Sequence, residues 1–81
     1  MNGDEWGALE DLICPARCEQ FMYMGVSKRV LHHDSWEQLR LYKHIDTRRY
    51  LNVAADGTCF RYIEAEYMPI STDAALEHVF G

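Results

Sequence analysis

The dipeptide Asp56-Gly57, set between two segments of alternating residue character, constrains this chain more than any other feature. Asp-Gly tolerates the positive φ that a tight hairpin turn demands. Ahead of it, Arg48–Ala54 places Arg49, Leu51 and Val53 on one face and Arg48, Tyr50 and Asn52 on the other. Behind it, Thr58–Glu64 is rich in the aromatic and β-branched residues that suit a pleated surface. Two antiparallel strands therefore meet at Ala55-Asp56-Gly57. Further upstream Leu39, Leu41 and Ile45 recur mostly at period two, with Arg40, Tyr42 and His44 opposite, and a turn is expected near Ile45-Asp46-Thr47. Val30 and Leu31 suggest a short strand before a polar loop at His32-His33-Asp34-Ser35. Tyr67–Ile70 suggests a short fourth strand of the meander, which Pro69 would confine to a sheet edge.

Helical spacing brackets these strands. Trp6, Leu9, Leu12 and Ile13 predict a helix over residues 4–13, with Asn2 or Asp4 as cap and Pro15 as its stop. Pro15 suits the first position of a second helix over 15–24, where Cys18, Phe21 and Met22 share a face and Gly25 closes the end. At the far end Ser71 or Thr72 caps a last helix with Asp73 in its first turn and Leu76, Val79 and Phe80 toward the core. The expectation is a single α+β domain over 1–81: two short N-terminal helices, a three- to four-stranded antiparallel meander and a C-terminal helix. One sheet face would pack on the helices and the other would meet water.

Hydrophobic residues at 48% and aromatics at 12% of 81 residues exclude a disordered chain. No apolar run approaches the roughly 20 residues that span a bilayer, and the acidic Met1-Asn2-Gly3-Asp4-Glu5 lacks the order of a signal peptide. A cytoplasmic protein with no membrane partner is expected, and Cys14, Cys18 and Cys59 read as reduced thiols.

Catalytic chemistry finds little to use. Zinc needs three or four converging ligands, yet Cys14 and Cys18 have no second pair and the neighbouring His32 and His33 point opposite ways if extended. Cys14 near a helix start could be a nucleophile, but no local signature joins a cysteine to His32, His33, His44 or His78. Glu64 and Glu66 read as solvated turn residues, because so small a domain has little room for an enclosed carboxylate pair. Glycines at 3, 7, 25, 57 and 81 form no phosphate-binding loop. The chain therefore reads as a non-enzyme without metal or cofactor.

Charge patterning points to binding. Five acids face one base in residues 1–26, six bases face three acids in 27–49, and five acids face one base in 50–81, for a net charge of −5. Such a layout polarises a surface and steers partners. Arg40, Tyr42, His44, Arg48, Tyr50 and Arg61 would interleave cations and tyrosines if their strand faces coincide. Arg and Tyr are typical hot-spot residues of protein interfaces, and the same chemistry stacks bases of single-stranded RNA or DNA. The partner expected is another protein, a nucleic-acid-processing complex among the candidates, with nucleic acid itself as the alternative. Conversely, acids on the terminal helices could mimic phosphate in a basic groove. In size and charge alone the chain is similar to small acidic proteins of phages and mobile elements that block nucleic-acid machinery, anti-CRISPR proteins among them. No motif carries that likeness. It implies an inhibitor that occludes a partner's site. A homodimer is a further option, through the edge near Tyr67–Ile70 or the surroundings of Trp6 and Trp36.

Overall fold

The computed structural model describes residues 4–32 and 34–81. Its elements are α1 (Asp4–Glu10), α2 (Pro15–Cys18), β1 (Phe21–His32), β2 (Ser35–His44), β3 (Tyr50–Ala54), β4 (Cys59–Ile63), β5 (Glu66–Ile70) and α3 (Thr72–Phe80). The five strands form one antiparallel sheet in the order β1-β2-β3-β4-β5. The α+β class and the antiparallel meander agree with the sequence, but the strand count is five.

The difference arises at Phe21. The expected second helix over 15–24 is a single turn, Pro15–Cys18, with Glu19 as its C-cap. Phe21 and Tyr23 then alternate with Met22 and Met24, and a 12-residue strand absorbs the expected short strand at Val30-Leu31. Gly25 is no helix terminus. At φ 98° it sits in a bulge between the pairs Tyr23↔Tyr42 and Val26↔Arg40. Only glycine enters that region without cost. Of the expected loop at 32–35, His32 belongs to β1 and Ser35 to β2; His33 lies outside the described residues, as does the candidate cap Asn2. The Asp-Gly hairpin forms as the sequence indicates, with Gly57 at φ 90° and the Thr58 amide donating to Asp56 Oδ1 at 2.9 Å. The Ser71 hydroxyl caps α3, accepting from the Ala74 amide at 3.1 Å.

The helices cover one sheet face. Phe21, Tyr42, Leu51, Val53 and Cys59 from the strands pack there with Leu9, Cys18, Ala75 and Val79. Fully burying a side chain such as Leu9 contributes about 1.5–3 kcal/mol. Trp6 extends this core as an aromatic cluster, its ring 5.6 Å from Tyr42 and 6.2 Å from Tyr23.

The opposite face does not simply meet water. Leu39, Ala54 and Phe60 form a second buried cluster there, with Leu41 and Tyr67 against it. Curvature explains this. β1 and β4 lie three strand spacings apart, roughly 14 Å on a flat sheet. Yet the Arg29 guanidinium of β1 lies 4.7 Å from the ring centroid of Phe60 in β4, while its Nη1 bonds Glu37 at 2.9 Å. The sheet therefore curls toward the helix-free side. A groove of about 520 Å³ lies between the two sheet edges, lined by Ser27–Val30 of β1 and Glu66–Pro69 of β5.

Candidate functional site

The register of β2 and β3 decides where the expected binding residues point. Tyr42 pairs with Leu51, and Lys43 pairs with Tyr50. Cross-strand partners share a face. Tyr42 therefore lies with Leu51 under the helices, while Tyr50 lies with Lys43 on the other side. The two sets, Arg40/Tyr42/His44 and Arg48/Tyr50/Asn52, do not coincide, because a one-residue difference in register reverses every side chain.

This corrects the expected address of the basic, tyrosine-rich face. Tyr42 is 0% exposed and its burial pushes the phenol up to about 12. His44 is 4% exposed and staples the β2–β3 turn. The amides of Asp46 and Thr47 both donate to its Nδ1 at 3.2 Å, so its Nε2–H is left to donate to Gln20 Oε1 at 3.3 Å. Edge contacts with Phe21 and Phe80, at 5.1 and 5.2 Å, hold the ring. Arg40 shares the helix-side face beside Val53 and is half-buried. Arg48 is exposed in the turn at φ 64°. Only Tyr50 and Arg61 of the six come together.

They meet in a cleft of about 410 Å³, which Leu41, Asn52, Tyr62, Tyr67 and His78 also line. The cleft exists because β3 and β4 pair only at Asn52↔Phe60 and Val53↔Cys59, then diverge. Tyr62 and Tyr67 face each other across the β4–β5 hairpin with ring centroids 4.7 Å apart. Arg61, paired with Met68 of β5, and His78 of α3 line the same space. Arg49 steadies that wall, donating from Nη1 to the His78 carbonyl at 2.9 Å, and Thr47 donates to the Val79 carbonyl at 2.7 Å. Desolvation, then Arg61 and Arg49, hold the His78 imidazole below its ordinary range. The sequence placed Tyr50, Asn52 and Arg61 on the candidate binding strands but did not single out Tyr62, Tyr67 or His78 for binding. The period-two placement of Tyr62 relative to Phe60 was the one available signal.

A second feature lies at the helical corner. Trp6, Glu10, Cys18, Glu19 and Phe21 line a shallow crevice of about 300 Å³. Glu10, Asp11 and Glu19 are exposed around it. Arg17, also in this corner, stacks over Phe80 at 4.0 Å.

The cysteines are free thiols, with Cys14 exposed and Cys18 and Cys59 buried. Burial pushes both buried thiols up; Glu10 adds to this at Cys18. Among the described residues no three His, Cys, Asp or Glu side chains are grouped to hold a metal ion. No described helix is long and apolar enough to cross a membrane.

Neither family models, nor curated proteins, nor solved structures give a match to this chain.

Proposed function

We propose that this protein is a non-enzymatic protein-binding module that occludes a site on its partner, docking through the acidic helical corner. One observation carries the reading: an apolar crevice between Trp6 and Phe21 with Glu10 and Glu19 among its lining and no basic residue there. Such a site fits a long basic side chain, whose stem lies on the rings and whose cation meets the carboxylates. The partner class is a protein with a basic groove, as nucleic-acid-processing complexes have. Carboxylates would then stand where phosphates normally bind, in the manner of an inhibitor. The burial of Tyr42 and His44 supports moving the docking surface from the sheet to the helices.

The test is affinity purification from the native host with the unaltered chain and two charge-reversed variants. Glu10→Lys with Glu19→Lys is expected to lose the partner while thermal unfolding stays unchanged. Arg40, Arg48 and Arg61, reversed to Glu, are expected to keep it. Retention of the same partner by the helical-corner variant would sink this docking mode.

A further inference from the structure

The tyrosine cleft lies away from the helical corner and its chemistry is opposite in sign. Its lining holds three tyrosines, an asparagine, an arginine and a histidine, and no carboxylate. Among the described residues Arg61 joins no ion pair, so its guanidinium stands in the cleft without a carboxylate partner. Lys43 adds a second cation at the rim, its Nζ 5.9 Å from the Tyr50 ring centroid. Arg49 lies outside the lining, its guanidinium bonded to the His78 carbonyl. A cavity with an unneutralised guanidinium and aromatic walls selects a planar anion.

Asn52 narrows the class. It is 3% exposed and lines the cleft. Its Nδ2 donates to the Phe60 carbonyl at 3.1 Å, which fixes the amide orientation. Its Oδ1 accepts no protein hydrogen bond among the described residues, and no buried side-chain polar atom there is left sealed without a partner. The oxygen is therefore reachable. A buried, oriented amide oxygen beside stacking rings is suited to a ring with N–H groups on its edge, as nucleobases have. A bare phenyl ring would leave it unmatched. The cavity volume falls in the range of small-molecule sites, about 300–1,000 Å³.

We propose that the cleft between β3 and β4 binds a nucleotide, with the base among Tyr50, Tyr62 and Tyr67, its edge on Asn52, and the phosphate on Arg61. The nucleotide is either free or one unit of a single strand. The proposal is independent of docking at the helical corner, and either can fail alone.

The experiment is an NMR titration of the isotope-labelled full chain with AMP, adenosine, inorganic phosphate, phosphotyrosine and an eight-residue oligothymidylate, each alone. AMP is expected to shift the amides of Tyr50, Asn52, Arg61, Tyr62 and Tyr67 and the His78 ring, at least tenfold more tightly than adenosine or phosphate. Arg61→Gln, at an exposed position, is expected to weaken AMP at least tenfold with the rest of the spectrum intact. Tyr62→Ala, at a side chain 58% exposed, is expected to do the same. Cleft shifts with AMP assign a free nucleotide; cleft shifts with the oligonucleotide alone assign a strand. Response to neither overturns the proposal. So does phosphotyrosine binding as tightly as AMP, or Arg61→Gln binding as tightly as the unaltered chain.

Discussion

Replacing His44 by alanine tests whether this residue is a structural staple or a surface contact. The structure gives its contribution in parts. Two backbone amides, of Asp46 and Thr47, lose the acceptor Nδ1, at about 0.5–1.5 kcal/mol each. The ring contacts with Phe21 and Phe80 are lost as well, at about 0.5–1.5 kcal/mol each. The expected cost is on the order of 3 kcal/mol. A domain of 81 residues has about 4–12 kcal/mol in total, so the loss is a large share. Urea unfolding followed by the fluorescence of Trp6, which packs on Tyr42, reads it directly. His44→Asn supplies an oxygen near the lost Nδ1 and should recover about 1–2 kcal/mol, since it restores the turn acceptor without the ring. A cost below about 1 kcal/mol for His44→Ala, with no advantage for His44→Asn, would refute the staple.

Three further outcomes follow from single features. Glu64 and Ala65 hold φ 50° and 67° in the β4–β5 turn, so Glu64→Asn with Ala65→Gly should raise stability by about 1–2 kcal/mol, and a lowered unfolding midpoint would contradict this. With a disulfide-exchange reagent at pH 8, Cys14 should react at once and Cys18 and Cys59 only on unfolding, because those two are buried with raised thiol pKa values; peptide mapping identifies the modified residue. The Thr58 backbone amide holds the Asp56 carboxyl below its ordinary range. With the folded pKa below the unfolded one, its contribution is complete above the unfolded value near pH 4 and fades as pH falls through the folded value. Asp56→Asn should therefore flatten the acid limb of stability below about pH 4, and an unchanged limb would exclude this group as a source.

The sequence was most readable where local chemistry and tertiary structure agree. Asp56-Gly57, the alternation through Tyr50–Ala54 and the Ser71 cap each state their own conformation. β1 was hidden because Pro15 and Gly25 imitate the two ends of a helix, although Pro15 starts one turn and Gly25 serves a bulge. The β4–β5 turn gave no sign, since Glu64-Ala65 carries neither the Gly nor the Asn that such a turn usually demands. The face of Tyr42 was unreadable for another reason. Arg40, Tyr42 and His44 alternate with Leu39 and Leu41, so period two names both faces and chooses neither. Burial on both sides of the sheet removed the polarity contrast that would have decided it. The tyrosine cleft depends on where two strands part, a property of pairing that no single segment encodes.

The curl of the sheet also governs how this molecule behaves in company. A flat sheet ends in two free rims, and either can add strands without limit. Here both rims, Ser27–Val30 and Glu66–Pro69, line one groove. A strand laid along the first advances toward the second. Pro69 removes one N–H donor from that second rim. Growth by addition at this groove is thus self-limiting, and the curl that buries Leu39 and Phe60 sets that limit.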